Sequence, residues 1–336
     1  MKRREFIALV AAAVARPRAA LTQQPMKVYR IAVVHPSWPV SRMTETGGLP
    51  YWRALFQELR LLGYVEGQNL AVERYSGEGR EQNYARLAHD VVDLKPDLIF
   101  AISSRMVGHL KAATTTIPIV GFFADPVGWG LVAGLAKPGG NITGIDVDVG
   151  SGIEIKRLEI LREAIPSLTK VGLLNSRDVW DSPSGIAMRE AAQHLGISLV
   201  GAPLEGTIQE TEYRRVFAAM KEEGADAIFV GEQPENTTNM RLISELSEKS
   251  RLPAICPNRV YLEGGVGCLM SYGTSAVDEL RRVAWYIDRI LKGDFPGDLP
   301  VQQSTKFELV IDLKTAKALG LAIPQPLLVR ADEVIE

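Results

Sequence analysis

Short apolar runs alternate with helix-length segments along almost the whole chain, and the alternation starts over near the middle. The runs 30–34, 69–75, 97–101, 117–123 and 142–145 are rich in β-branched and aromatic residues and bounded by turn formers. Continuous apolar runs of this length read as strands buried on both faces. Between the first two, Tyr51, Leu55, Leu59 and Leu62 recur at helical spacing, and Gly63 supplies the stop. Strict alternation of strand and helix implies βαβ units and parallel sheets covered by helices. A second series follows at 170–174, 198–202, 227–230 and 254–256, with helices around 153–165, 185–195, 209–223 and 236–249. The expected fold is α/β: two doubly wound parallel-sheet lobes.

What remains is too short for a third domain. Residues 267–272 and 307–313 read as strands and 314–319 as a short helix. The helix 274–291 carries Val277, Leu280, Ala284, Ile287 and Leu291 on one stripe. A chain with pieces left over after its second lobe crosses back to the first. The expected division is 28–145 plus about 273–300 for the first lobe, and 146–272 plus about 301–336 for the second. The lobes are joined by a hinge with multiple crossovers, and the Gly-containing segment 146–152 is expected to form part of it.

The first 24 residues stand apart. Lys2, Arg3 and Arg4 precede an apolar stretch, 6–14, that is too short to span a bilayer, and alanine-rich sequence follows. That is the pattern of an export signal. Arg3-Arg4 before Glu5-Phe6-Ile7 resembles a twin-arginine signal, with a general secretory signal as the alternative. Removing residues 1–24 takes away five basic residues and one acidic residue, which leaves a net charge near −6. Such a chain has no basic surface for nucleic acid, and a periplasmic location is expected. Cys256 and Cys268 lie in apolar or Gly-rich strand contexts, where two buried free thiols are expected; export would also permit a disulfide.

A search for catalytic patterns returns nothing: no G-x-S-x-G, no P-loop, no H-E-x-x-H. The four histidines have no metal-ligand spacing, and Gly128-x-Gly130 follows the fourth strand, the wrong place for a dinucleotide fingerprint. No enzyme activity, cofactor or metal is expected. The loops after the strands are more informative, because ligands of open α/β sheets sit outside the carboxyl ends of the strands. These loops carry His35, Ser37 and Trp38; Ser103, Ser104 and Arg105; Asp125 and Trp129; Asn175 and Trp180; Glu232; and Tyr261. Small hydroxyls, charges and rings together suit a site that stacks an apolar body and fixes a polar head. Asp125-Pro126 closes a strand and is expected to open a helix over 127–135, which Asp125 could equally cap. Arg105 could bind a ligand carboxylate or pair with a surface acid. Trp52 and Trp285 are assigned to the core.

Several stretches together resemble a known family. They are MKRREFIALV at the start, Gly63-Tyr64-Val65-Glu66-Gly67-Gln68-Asn69, AATTTIPIV at 112–120, Asp125-Pro126-Val127, PGGNITG at 138–144, LMSYG at 269–273 and VQQSTKFE at 301–308. They resemble the ABC-transporter substrate-binding proteins of the TrpX/YtpQ-like family. The resemblance implies a type I periplasmic-binding fold with three crossovers and delivery of a small solute to a membrane permease. On that reading the chain is a monomer that closes on an amino-acid-like or aromatic/branched carboxylate ligand. Asp125 would suit an ammonium group, Ser103 and Ser104 a carboxylate, and Trp38, Trp129 and Tyr261 the walls. The alternative is a sensory module that hands its liganded state to a signalling partner. The loops depart from the commoner family pattern at His35-Pro36-Ser37-Trp38, Ser103-Ser104-Arg105 and Phe122-Phe123-Ala124. The solute is therefore not carried over with the framework.

Overall fold

The computed structural model describes residues 27–336 except 148–151, 207 and 263–266. The export signal at 1–24 and most of the expected hinge at 146–152 lie outside the described residues. The first sheet is built from β1 (Tyr29–His35), β2 (Leu70–Ser76), β3 (Leu98–Ile102), β4 (Ile119–Phe123) and β5 (Ile142–Asp146). Helices α1 (Pro50–Leu61), α2 (Tyr84–Asp93) and α3 (Ser104–Ala113) connect them. After α4 (Gly152–Ala164) the second sheet takes β6 (Lys170–Leu174), β7 (Ser198–Val200), β8 (Ala227–Val230), β9 (Ala254–Cys256) and β10 (Cys268–Thr274). Its helices are α5 (Arg177–Trp180), α6 (Pro183–His194), α7 (Glu210–Glu222), α8 (Pro234–Thr238) and α9 (Met240–Ser250). The remainder is α10 (Ala276–Leu291), β11 (Gln302–Gln303), β12 (Phe307–Asp312), α11 (Leu313–Leu319), α12 (Gln325–Arg330) and β13 (Glu333–Ile335).

Strand order is β11-β5-β4-β3-β1-β2 in one sheet and β13-β12-β10-β9-β8-β6-β7 in the other. The pairings are parallel except β10 with β12, which is antiparallel. Because β11 returns to the first sheet after β10 and β12 rejoins the second, the chain passes between the sheets three times. Each sheet is buried on both faces, as parallel sheets require. Ile31 and Val33 face the cluster built on Trp52, Leu55 and α10, whereas Ala32 and Val34 face Leu87, Val91 and Leu110 on the other side. In the second sheet Val171 and Phe229 face α4 and α6, while Ile228 and Val230 face α7 and α9.

Several sequence expectations are corrected. No helix forms over 127–135; Pro126 opens a series of turns, with Trp129 N–H donating to Asp125 O at 3.0 Å and Leu131 N–H to Pro126 O at 2.8 Å. Gly128, Gly130 and Gly134 explain this, since each glycine costs about 1 kcal/mol in a helix. Trp52 is fully buried, but Trp285 is 40% exposed, its ring edge-on to Tyr286. Cys256 and Cys268 are not free thiols: they form a disulfide that joins the end of β9 to the start of β10, Cα to Cα 6.2 Å. β4 and β5 meet where a side chain will not fit. Gly144 has φ +145°, and a Cβ there would lie 1.9 Å from Gly121 O. The PGGNITG stretch thus has a packing reason for its last glycine.

The disulfide spans a sequence separation of 12, for which loop-closure entropy gives about 3 kcal/mol of stabilisation. Reduction, or Cys256→Ser with Cys268→Ser, is expected to lower the urea unfolding free energy by roughly that amount. Far-ultraviolet dichroism should stay unchanged. An unchanged urea midpoint would contradict the bridge.

Candidate functional site

All parallel strands of a sheet present their carboxyl ends at one edge, so the loops after β1, β3, β4, β6, β8 and β9 are the ones to follow. His35 ends β1 and is buried. Its Nδ1 accepts the backbone N–H of Ser37 and of Trp38, each at 2.9 Å. An imidazole with Nδ1 as acceptor carries its proton on Nε2 and is neutral. Burial agrees, pushing the His35 pKa down to about 3. The ring also lies edge-on to Trp52, with centroids 6.2 Å apart. His35 therefore shapes the loop, whereas Ser37 reaches across to the other lobe and donates from Oγ to Pro234 O at 2.9 Å. Trp38 is buried in the first lobe's core cluster, to which Val260 of the second lobe also belongs.

β3 and β4 deliver the next loops in strained conformations. Ser103 has φ +83° and caps α3, its Oγ accepting Met106 N–H at 3.3 Å. Asp125 has φ +45°. Non-glycine residues rarely hold such angles, and functional loops are where they cluster. Ser104 is spent internally: its Oγ donates to Ala124 O at 2.6 Å and accepts Ala124 N–H at 3.0 Å, which ties the two loops together. Asp125 is exposed; its Oδ1 accepts Gly128 N–H at 2.9 Å, so the carboxylate caps the following turn. Its own N–H donates to Asp146 Oδ1 at the end of β5, 3.2 Å away. Trp129, on the same turn, is 53% exposed.

In the second lobe Asn175 follows β6, and its buried Oδ1 has no hydrogen-bond partner. Gln233 joins this loop to the next: its Oε1 accepts Ser176 N–H at 3.2 Å and its Nε2 donates to Ser176 Oγ at 3.1 Å. Trp180 packs against the second lobe's own core, with the Arg189 guanidinium 5.0 Å from its ring. Tyr261 is buried in the other core cluster of that lobe. Glu232 is half exposed and accepts from Arg157 Nη2 at 3.0 Å.

Arg157 was not expected. It sits on α4 and is 1% exposed, donating Nε to Tyr272 O at 2.6 Å and Nη2 to Pro257 O at 3.1 Å. One guanidinium thus holds the ends of β9 and β10 and the Glu232 loop in register. The signal was present: Arg157 lies in phase with Leu161 and Ala164 on the buried stripe of α4, although a charge in a charged helix reads as solvated. Asn236 was missed as well. It is fully buried, donates Nδ2 to Leu174 O at 3.0 Å and to Gly231 O at 2.9 Å, and accepts from the Tyr213 hydroxyl at 2.9 Å. The third omission is an ionic group across the two lobes. Arg105 Nη1 lies 2.9 Å from Glu81 of its own lobe and 3.5 Å from Glu235 of the other.

Of the expected residues, Ser37 and Arg105 join the lobes directly, and Ser103, Ser104 and Asp125 share one stretch of the first lobe's edge. Trp180 packs within the second lobe, and Trp129 is exposed. A depression lined by Lys27, Tyr29, Asp97, Pro118 and Asn141 lies at the opposite, amino-terminal ends of the first sheet's strands. It is not continuous with these loops.

Two α/β lobes joined by three passages are the architecture of the type I periplasmic binding fold. The comparisons agree. Residues 47–335 match the model of the ABC transporter substrate binding protein family, and the chain belongs to that family. A tyrosine-binding protein of Clostridioides difficile is 26% identical over 267 residues, 77% of this chain and 73% of that protein. A conserved domain protein from Vibrio cholerae superposes with a TM-score of 0.79 at 25% identity, covering 92% of this chain and 100% of that one. A Streptococcus pneumoniae ABC domain in complex with L-Trp gives 0.78 at 23% identity, with the same coverage.

The buried neutral His35 gives a pH signature. Its folded pKa is depressed below the unfolded value near 6.5, so the stability it confers is complete above that value. It is lost as pH falls from about 6.5 toward about 3. Wild type should lose unfolding free energy over that window more steeply than His35→Gln, the gap between them changing by about 3 kcal/mol from pH 7 to pH 4. Parallel profiles from urea titrations would contradict this assignment.

Proposed function

We propose that this chain is the solute-binding component of an ABC importer, exported by its amino-terminal signal through the twin-arginine route to the periplasm. It takes an amino acid with an aromatic or branched side chain between its lobes and presents it to a membrane permease. The observation that carries the ligand class is the tyrosine-binding relative, matched along three quarters of the chain. The loops agree in chemistry. The start of α3 offers N–H groups to a carboxylate. Asp125 at its exposed turn suits an ammonium group, and Trp38, whose core cluster takes in Val260 of the other lobe, suits an aromatic body. The hydroxyl of Ser104 is committed to Ala124, so Ser104 contributes through its backbone. A binding protein of this class needs no reacting group. Its work is differential affinity between open and closed lobes, which commits the solute to the permease.

A thermal-shift panel of the common amino acids and aromatic carboxylic acids tests this directly. L-Tyrosine or L-tryptophan should raise the melting temperature and bind one to one by calorimetry. A flat response across the panel would contradict the ligand class. Asp125→Ala should weaken the best ligand at least tenfold, about 1.4 kcal/mol. Unchanged affinity would remove Asp125 from the site.

A further inference from the structure

Among the described residues, three contacts between the lobes near their strand ends stand out. Ser37 Oγ donates to Pro234 O at 2.9 Å. Gly79, with φ +69°, lies so close to α8 that a Cβ there would sit 2.2 Å from Thr238 Oγ1. The third contact is ionic: a single nitrogen, Arg105 Nη1, is shared between Glu81 Oε2 at 2.9 Å and Glu235 Oε1 at 3.5 Å. Arg105 and Glu81 both belong to the first lobe and would stay together if the lobes parted, whereas Glu235 belongs to the second lobe and would be carried away from Arg105.

The burial of the three side chains differs in a telling way. Glu81 is 51% exposed and Arg105 22%, but Glu235 is 14% exposed. Glu235 is therefore the carboxylate that loses water when the lobes come together. Burial raises its pKa, Arg105 works against that rise, and Glu81 and Asp178 add to it. Two carboxylates share one guanidinium, and the shorter contact belongs to the acid that gains nothing from closure. Nη1 carries two N–H groups, so both acids can approach it, and they draw on the same guanidinium charge.

We infer that Arg105 is the positioning residue for lobe closure: it neutralises Glu235 as that carboxylate is carried across the cleft, and Glu81 competes with Glu235 for it. Arg105 then acts on affinity through the open–closed equilibrium, without touching the solute. Its loss leaves Glu81, Glu235 and Asp178 facing one another with no cation between them. Loss of Glu81 has the opposite effect, because it releases Arg105 to Glu235 and removes a repulsion. Two charge deletions in one ion group thus move affinity in opposite directions, which a merely structural role would not do.

The test uses the mature full-length chain, with two readouts. Calorimetry against L-tyrosine and L-tryptophan gives affinity and rests on the proposed ligand class. Small-angle scattering of the ligand-free chain gives lobe closure and does not depend on it. Arg105→Gln should weaken binding about tenfold or more and expand the ligand-free particle, with the urea midpoint unchanged. Arg105→Lys should restore part of both. Glu81→Gln should tighten binding roughly two- to threefold and contract the particle. The deciding variant is Arg105→Gln combined with Glu235→Gln, which should return affinity to within about threefold of wild type, because the stranded carboxylate is gone. Failure of that rescue, with Arg105→Gln still impaired, would show that Arg105 contacts the solute and overturn the inference. Scattering and affinity unchanged in Arg105→Gln would overturn it too. If neither amino acid binds wild type, the ligand reading fails, and the scattering series still decides the inference alone.

Discussion

A parallel sheet buried on both faces is the constraint on which everything else depends. Its strands cannot be joined by tight turns, so each connection runs through a helix, and every strand delivers its loop to the same edge. With two such sheets in one chain, polar and strained loops gather at two edges. The antiparallel entry of β12 beside β10 and the two-residue β11 beside β5 bring the chain back and forth, fixing three passages between the lobes. Ser103 and Asp125, at φ +83° and +45°, lie just past the ends of β3 and β4. Their strain is held by the Ser104–Ala124 stitch and the Asp146 bond beneath.

The polar groups at these edges divide between structural and functional work. His35, Ser104, Arg157, Gln233 and Asn236 are consumed in holding loops to one another, each with several hydrogen bonds to backbone or side chain. A binding protein needs this division. Loops that must meet a solute in one geometry are over-determined from below, so that selectivity does not drain into loop motion. Among the described residues, Ser37 to Pro234 and Arg105 to Glu235 are polar contacts that cross between lobes, beside the close approach of Gly79 to Thr238.

The sequence carried the fold well and the site unevenly. Strands such as Lys170–Leu174 and Ala227–Val230 were legible to the residue, because apolar runs of fixed length have one reading between helices. The segment 127–135 misled, because its apolar spacing looks helical while Gly128, Gly130 and Gly134 and the Asp125 cap favour turns. At the site, strand-end position singled out Ser37, Ser103 and Arg105 as candidates but could not say which groups were already engaged. Ser104 and His35 look like ligands in sequence and turn inward in the structure. Arg157 did the reverse, looking like a solvated helix charge, and Glu235 was not singled out as a candidate. Their importance comes from partners more than 70 residues away, which no local pattern encodes. The disulfide was open for the same reason, since spacing does not give Cα separation.

The most direct measurement is native mass spectrometry of the mature chain purified from its own cells without added solute, followed by identification of whatever is released on unfolding. The account predicts one small molecule per chain, bearing an amino-acid head and an aromatic or branched body, and removable by dialysis against denaturant. A bound sugar or other solute without a carboxylate would contradict it. So would a chain that carries nothing and takes up no amino acid on incubation.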